Sequence, residues 1–357
     1  MIGFGGPAAH IALMEDEVVR RRRWLSPAEF LDLLGATNLI PGPNSTEMAL
    51  HVGRRRAGWL GLLVAGTCFI LPASLIVTFL AWFYVRYGSL PQAGAILYGV
   101  KPVMIAIVLQ ALWRLGSMAL KNKPLILIAV AGTVLNFLGV HELWILFGTG
   151  LLFALGKLLV RRSQIPYSAL ITPGFTGAAT ASATFGLGPL FLFFLKIGSM
   201  LFGSGYVLLA FLRADLVERW HWLSEGQLLD AIAVGQITPG PLFTTATFVG
   251  YVLGGAPGAV VATVGIFLPA FVFVALSGPL VPRIRQSETA GAFLDGVNAA
   301  SLALMVVVTY QLGRSIVVDF TSLALTVIGV IVLFRFRVNS VWVLFGGAVV
   351  GLTQKLL

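Results

Sequence analysis

The chain has 357 residues, of which 58% are hydrophobic and 11% are charged, whereas about one quarter of a typical soluble protein is charged. Apolar stretches of 18 residues or more recur along the chain, for example at residues 60–85 and 258–281. Each of them is long enough to cross a hydrocarbon core of roughly 30 Å. The composition therefore excludes a soluble globular fold and predicts an all-α integral membrane protein that contacts the lipid bilayer.

The basic excess, 24 Lys and Arg against 14 Asp and Glu, lies in short clusters between the apolar stretches. This distribution is typical of topology signals and argues against a nucleic-acid partner. Cys68 is the one cysteine, and the four histidines are scattered, so we expect neither a metal nor a cofactor. We do not expect an enzyme, because the sequence has no cluster of His, Cys and Asp and no sizeable soluble part. A membrane-embedded enzyme is the less favoured alternative.

Six apolar stretches are predicted in the first half, at residues 4–14, 27–51, 59–86, 94–115, 124–139 and 142–160. The second stretch contains Pro41-Gly42-Pro43, which removes two backbone donors and breaks a continuous helix. Arg20–Arg23 precede this stretch and Arg54–Arg56 follow it. Because Lys and Arg concentrate in short cytoplasmic loops, we predict that both flanks face the cytoplasm and that a re-entrant hairpin lies between them.

Residues 163–188 are rich in Gly, Ala, Ser, Thr and Pro and carry no charge. We predict that they link a first membrane repeat, residues 1–162, to a second one, residues 189–357. The second repeat again shows six apolar stretches, near 190–212, 225–252, 258–281, 290–313, 317–334 and 338–354. Two re-entrant or broken segments and about 10 transmembrane helices follow from this count.

The two halves repeat each other at a nearly constant offset. Residues 24–26 and 222–224 are both Trp-Leu-Ser, and residues 41–43 and 239–241 are both Pro-Gly-Pro, 198 positions apart. After the loss of one residue, Leu71-Pro72-Ala73 matches Leu268-Pro269-Ala270.

The charge bias between the halves is inverted. The counterpart of Arg54–Arg56 is the uncharged segment 253–258, whereas the neutral turn at residues 141–142 corresponds to Arg335-Phe336-Arg337. An odd number of crossings in each half produces this inversion. The sequence therefore predicts two homologous repeats of inverted topology.

Inverted repeats with interrupted helices are the architecture of secondary transporters, in which the N-termini of half-helices face anionic substrates. Free amides and the positive end of a helix after each Pro-Gly-Pro, together with nearby hydroxyls, would form an anion site. The predicted substrate-binding residues are Pro41, Gly42, Pro43, Asn44, Ser45, Thr46, Lys101, Pro239, Gly240, Pro241, Thr244 and Thr245. The alternative is that each Pro-Gly-Pro only kinks a packed helix.

Ionisable residues inside apolar stretches are costly and call for a reason. Lys101 could balance the charge of a dianion, or it could extend its amine to the surface as a structural residue. Glu47 and His51 lie one turn apart on a helix and could relay protons, or they could pair with the arginines at 54–56. Asp32 and its counterpart Asp230 are predicted to be helix-end or interhelical partners.

A second symmetric pair of motifs is Phe4-Gly5-Gly6-Pro7 and Phe202-Gly203. The glycines allow close backbone approach, either to a ligand or in ordinary helix packing.

The segment Phe4–Ile11, the run ending in Arg23-Trp24-Leu25 and the duplicated Pro-Gly-Pro with its trailing Leu-Pro-Ala resemble the chromate ion transporter family, in its long two-domain form. The resemblance implies a multi-pass carrier in the prokaryotic inner (plasma) membrane that exports chromate and so confers resistance, driven by the membrane potential or by ion exchange. It also implies two antiparallel homologous halves and a start upstream of Phe4. Family members often carry Gln where this chain has Asn38, and again near Glu47. A sulfate or other oxyanion carrier is therefore the alternative, and a homodimer is left open.

Overall fold

The computed structural model describes residues 6–37, 39–88, 90–161, 185–202, 207–285, 287–336 and 338–356, and this part of the chain contains helices and connecting turns without a β-strand. The helices are α1 (Gly6–Glu15), α2 (Pro27–Thr37), α3 (Asn44–Tyr87), α4 (Pro91–Ala119), α5 (Lys123–Phe137), α6 (Glu142–Arg161), α7 (Leu187–Met200), α8 (Leu208–Phe211), α9 (Glu225–Ile237), α10 (Thr245–Arg285), α11 (Glu288–Ile316), α12 (Phe320–Arg335) and α13 (Ser340–Leu356). Two π-helical segments, Asp16–Arg21 and Leu212–Arg219, extend α1 and α8.

Within the described residues, five helical segments are long and apolar enough to cross a membrane: Asn44–Tyr87, Gln92–Ser117, Glu142–Leu159, Leu242–Ser277 and Glu288–Ile316. Shorter apolar helices lie at Lys123–Phe137, Leu187–Met200, Phe320–Arg335 and Ser340–Gln354. The prediction of an all-α membrane protein is thereby confirmed.

The two longest helices each reverse direction near one end. Helix α3 leaves helical geometry at Ala57 and Gly58, and α10 does so at Gly254 and Gly255. We call the segments before the reversals α3a (44–56) and α10a (245–253), and those after them α3b (59–87) and α10b (256–285). Gly58 and Gly255 have φ angles of 58° and 62°, a conformation that glycine adopts without strain.

Close backbone contact holds the two arms of each reversal together. A Cβ added to Gly53 would overlap the carbonyl oxygen of Gly61, and one added to Gly250 would overlap that of Gly258. In a straight helix, residues eight positions apart are separated by about 12 Å, so these contacts require a hairpin. The reversals are therefore tighter than the loops expected between the apolar stretches 27–51 and 59–86 and between 225–252 and 258–281. The arginines at 54–56 belong to the end of α3a.

The sequence repeat is also a repeat of backbone conformation. Gly42 and Gly240, the central residues of the two Pro-Gly-Pro elements, both have a φ angle of 141°. Arg23 and His221 are also 198 positions apart and are the two non-glycine residues with positive φ in the described chain, at 52° and 54°. The duplicated sequence therefore produces duplicated turns.

The two halves interlock. Helix α4 of the first half packs against α12 and α13 of the second, and α11 of the second half packs against α5 and α6 of the first. Small residues allow this approach: a Cβ on Gly99 would overlap the backbone of Gly347, and one on Gly296 would lie 2.8 Å from Cα of Gly150. Each half therefore completes the packing of the other.

One predicted element is wrong in extent. Residues 190–212 were expected to form one apolar stretch, but α7 ends at Met200, and Leu201 has an extended backbone. Helix α7 begins at Leu187, so it includes the last two residues of the predicted linker. Residues 163–184 of that linker lie outside the described residues. Because α7 ends here, the carbonyl of Leu201 can accept a hydrogen bond from the amide of Gly42 in the first half.

Candidate functional site

The first Pro-Gly-Pro element, residues 41–43, joins α2 to α3a, and the second, residues 239–241, joins α9 to a short 3₁₀ turn (Leu242–Thr244) that leads into α10a. The helix breaks predicted at these motifs are thus confirmed. In the first element the amide of Gly42 donates to the carbonyl of Leu201 at 2.7 Å. This bond connects the Pro-Gly-Pro element of the first half to Leu201, at the end of α7 in the second half.

Each Pro-Gly-Pro element packs on the Leu-Pro-Ala motif of the opposite half. A Cβ on Gly42 would lie 3.7 Å from Cβ of Ala270 in α10b, and a Cβ on Gly240 would overlap Cβ of Ala73 in α3b. The two contacts are equivalent under the sequence repeat. They bring both helix breaks into the interface between the halves, where α3 and α10 pack against each other.

The two arms around the first element lie side by side. Nη2 of Arg55, at the end of α3a, donates to Oε1 of Glu29, in the first turn of α2, at 3.0 Å. The guanidinium of Arg56 lies 5.5 Å from the ring centroid of Trp24, which precedes α2. Hydrogen bonds from the amide of Ser26 and from Arg55 lower the pKa of Glu29 to about 2. The segment therefore enters and leaves at the same end, as a re-entrant hairpin requires.

Several backbone amides at the two helix starts make no backbone hydrogen bond within the described structure. The amides of Thr46 and Glu47 donate to the carbonyl of Pro43, at 2.8 and 3.0 Å. The amides of Ser45, Leu242 and Phe243 have no acceptor among the described residues. Amides at a helix N-terminus, together with the positive end of the helix dipole, favour an anion.

The predicted hydroxyl ligands differ in their present bonding. Ser45 and Thr46 are buried, and Oγ1 of Thr46 has no partner in the described structure. Thr244 and Thr245 are also buried, but their hydroxyls donate to the carbonyls of Pro241 and Leu242, at 2.9 and 2.8 Å. In this state they offer lone pairs rather than protons, so they must rotate to donate to a bound oxyanion.

Lys101 lies in an interhelical ion pair. Its Nζ is 2.9 Å from Oδ1 of Asp230 in α9, and the hydroxyl of Tyr84 in α3b donates to Oδ2 of the same carboxylate at 2.8 Å. Asp230 is thus the interhelical partner that the sequence predicts. Lys101 also lines a pocket of about 360 Å³ together with Tyr98 and Glu225.

Glu47 and His51 follow the first helix start. Glu47 is fully buried, and both of its carboxyl oxygens lack a partner among the described residues. The alternative that Glu47 pairs with the arginines at 54–56 is therefore wrong. His51, one turn further on, is 7% exposed, and its Nε2 has no partner either.

The second symmetric motif is only partly covered by the structure. Phe4, Gly5 and Gly203 lie outside the described residues, whereas Gly6 and Pro7 open α1 and Phe202 packs against the main hydrophobic core. Its role as a ligand site stays a prediction.

Sequence reasoning assigned no role to Ala73 and Ala270, although their motif was recognised as duplicated. The duplication could have pointed to these alanines, because only a small side chain fits against the glycine of a Pro-Gly-Pro element. Tyr84 was also missed as a partner of Asp230; no pattern in the sequence connects two residues 146 positions apart.

The fold and this site together define an all-helical, multi-pass membrane protein with two broken helices meeting in its interior. The profile of the family described as "Chromate transporter" matches residues 1–154 and 188–352. The chain therefore belongs to the chromate transporter family, as its motifs indicated.

Individual relatives are similar over most of the chain. It is 32% identical to a chromate transport protein of Cupriavidus metallidurans, over 98% of this chain and 89% of the relative. It is 34% identical to a chromate transport protein of Pseudomonas aeruginosa, over 88% and 78%. A probable chromate transport protein of Synechococcus elongatus is 31% identical, over 92% and 86%. No solved structure matches the chain.

Proposed function

We propose that this protein is a secondary transporter that exports chromate, a tetrahedral oxyanion, across the inner plasma membrane and thereby gives chromate resistance. Its relatives named as chromate transport proteins point to the substrate. The observation that carries the mechanism is the reciprocal packing of each Pro-Gly-Pro element on the other half, at Ala270 and at Ala73. Two helix starts that meet the opposite half in this way can present their amides to one anion between them.

In this proposal, the oxyanion binds to the amides and hydroxyls that follow residues 41–43 and 239–241. Lys101 contributes positive charge to the oxyanion, in competition with its ion pair to Asp230. A carrier can open such a site to one side at a time by moving groups of packed helices against each other. In this scheme the repeats at residues 1–162 and 189–357 have inverted topology.

Export of a dianion needs no ATP, because the membrane potential drives negative charge outward. One charge is worth about 2.3 kcal/mol per 100 mV, so two charges gain roughly 4.6 kcal/mol on leaving a negative interior. Since about 1.4 kcal/mol corresponds to a tenfold ratio, this energy sustains a gradient of more than a thousandfold. Exchange for another ion is the alternative source of energy.

The test is oxyanion flux in vesicles that contain the purified protein. Vesicles of uniform orientation are loaded with chromate, sulfate or molybdate, and a potassium gradient with valinomycin sets the potential. We expect chromate efflux from the cytoplasmic side to accelerate when that side is made negative.

Sulfate and molybdate serve as competitors in the same vesicles, and protein-free vesicles give the leak rate. Faster flux of sulfate than of chromate would make the protein a sulfate carrier. Chromate flux at the leak rate under every imposed potential and ion gradient would overturn the proposal.

A further inference from the structure

Glu47 occupies an unusual position at the first helix start. A Cβ added to Gly42 would overlap Oε1 of Glu47, so the carboxyl group lies directly against the turn of the first Pro-Gly-Pro element. The same glycine faces Ala270 of the opposite half. A fully buried carboxyl group with no partner thus lies at the place where the two halves cross.

Such a group is costly in its ionised form, because nothing in the described structure replaces the water it has lost. It also lies in the first turn of the helix whose amides would hold an oxyanion, so an ionised Glu47 and a bound dianion would repel each other. Protonation removes the repulsion and lowers the cost of burial, since an uncharged carboxyl group is easier to bury than a carboxylate.

A route for that proton leads to one surface of the protein. Ring nitrogen Nε2 of His51 is buried without a partner one turn from Glu47, and His51 also lines a pocket of about 420 Å³. We call this the His51 pocket; its other polar lining residues are Glu29, Asp32, Arg54 and Arg55. Glu29 and Arg55 are exposed, so the pocket connects His51 to the surface.

The elements around Glu47 carry the following titratable and charged residues. The helix of Glu47 itself carries His51 and Arg54–Arg56, and Nη1 of Arg54 donates to the carbonyl of Val274. Helix α2 contributes Glu29 and Asp32 through the His51 pocket, and α1 contributes His10, whose ring packs against Phe69 at 5.7 Å. The facing part of α10b, residues 262–277, carries no Asp, Glu, His, Lys or Arg.

The second helix start carries no counterpart of Glu47 and His51. Residues 242–253 contain no Asp, Glu, His, Lys or Arg, and Phe248 stands 197 positions after His51. Phe248 is fully buried and lies 5.2 Å from the ring of Tyr84. At this position of the second repeat, the phenyl ring of Phe248 thus replaces the imidazole of His51.

We infer that Glu47 is a proton switch for the oxyanion site, loaded through His51 from the His51 pocket. A proton from water in the pocket binds one nitrogen of the imidazole. His51 and Glu47 are not hydrogen-bonded in this structure, so a side-chain rotation brings them into contact before the proton on the other nitrogen passes to Glu47 and the ring returns to its neutral form. The oxyanion then binds next to a neutral carboxylic acid. This inference rests on the proposed function and adds that acidity on the face bearing Arg54–Arg56 controls loading.

The test compares wild type, Glu47→Gln and the matched control Glu15→Gln, which replaces a half-exposed carboxylate outside the site. Chromate affinity is measured by titration calorimetry in detergent between pH 6 and 9, and the affinities are corrected for the protonation of chromate in solution. In wild type and Glu15→Gln we expect the affinity to fall by up to about tenfold per pH unit above the pH at which Glu47 ionises, since one proton is linked to binding. Glu47→Gln should bind with an affinity that does not change with pH.

Two further measurements keep the test decisive. Wild type alone, titrated in two buffers of different ionisation enthalpy, should take up about one proton per chromate at the alkaline end of the range. This requires no variant to fold. His51→Leu should keep the pH dependence of affinity but slow the response of flux to a pH jump on the Arg54–Arg56 face.

A pH-independent affinity in wild type, or a pH dependence that persists in folded Glu47→Gln, would overturn the inference while leaving chromate transport intact. Wild-type protein that binds no chromate at any pH would instead contradict the proposed function. A flux response of His51→Leu as fast as that of wild type would remove His51 from the route.

Discussion

Nη2 of Arg55 donates to the carboxylate of Glu29 at 3.0 Å, which places the last turn of α3a beside the first turn of α2. A segment that crossed the membrane once would separate these two residues by roughly 30 Å. The contact therefore shows that the first Pro-Gly-Pro segment folds back on itself as a hairpin. Both of its ends should then face the same side of the membrane.

The first prediction is that Ala28 and Ala57 face one side of the membrane and that Ala256 faces the other. Each is exposed, and Ala57 and Ala256 stand at the tips of the two helical reversals. Single cysteines at these positions, in a Cys68→Ser background, are labelled with a membrane-impermeant maleimide in oriented vesicles. We expect Ala28→Cys and Ala57→Cys to react from the cytoplasmic side, where Arg54–Arg56 and Arg335–Arg337 are also predicted to lie. Ala256→Cys, in the segment 253–258, should react from the outside. Reaction of Ala28→Cys and Ala57→Cys from opposite sides would contradict the hairpin.

A second prediction concerns the hydroxyls at the helix starts. Ser45→Ala and Thr244→Ala should each weaken chromate binding by about 0.5–1.5 kcal/mol, the value of one hydrogen bond. Thr133→Ala is the matched control, because its hydroxyl donates to a carbonyl inside α5 and not at a helix start. Binding is measured by titration calorimetry, and folding by size-exclusion chromatography. Unaltered affinity after Ser45, Thr46, Thr244 and Thr245 are all replaced by Ala or Val would move the site to the Phe-Gly-Gly-Pro motif.

The third prediction separates the two roles of Lys101. Lys101→Met leaves Asp230 buried without its cation, which should reduce stability by about 3–5 kcal/mol. The double variant Lys101→Met/Asp230→Asn should recover most of that loss in thermal unfolding. As a control, Lys121→Met breaks the exposed pair with Asp295 and should cost less than about 1 kcal/mol.

Transport by the double variant then tests the contribution to the substrate. If Lys101 supplies charge to the oxyanion, flux stays low although stability has returned. Wild-type flux in the double variant would show that Lys101 is an interhelical partner alone.

A fourth prediction concerns the glycines of the two Pro-Gly-Pro elements. Gly42→Ala and Gly240→Ala should each destabilise the protein by about 1–3 kcal/mol, because a φ angle of 141° is strained for alanine. The new methyl groups would also overlap Glu47 and Ala73 respectively. Gly148→Ala in α6, where a Cβ meets nothing within 4 Å, should be neutral or stabilising by up to about 1 kcal/mol. Equal melting temperatures for all three variants would contradict the reciprocal packing.

Much of this architecture follows from local sequence. Apolar runs make helices in a membrane because the backbone must satisfy its own hydrogen bonds there, and proline ends such runs by removing donors. The sequence therefore allowed us to predict the repeat at an offset of 198 residues and the helix breaks at residues 41–43 and 239–241. It also showed the family resemblance. The positions of helix ends were harder to predict: α7 ends at Met200, within the stretch 190–212 that was expected to be continuous.

Contacts between the halves were decided by the tertiary structure alone. Local sequence determined that Gly42, Ala73, Gly240 and Ala270 recur as a duplicated set, but it could not determine that each glycine packs on the alanine of the opposite half. The same holds for the ion pair of Lys101 with Asp230, and for the absence of a partner for Glu47 among the described residues, although it precedes three arginines in the sequence. Helix and turn formation depend on residues a few positions apart, which a sequence displays, whereas the partner of a buried side chain depends on how distant helices pack in three dimensions.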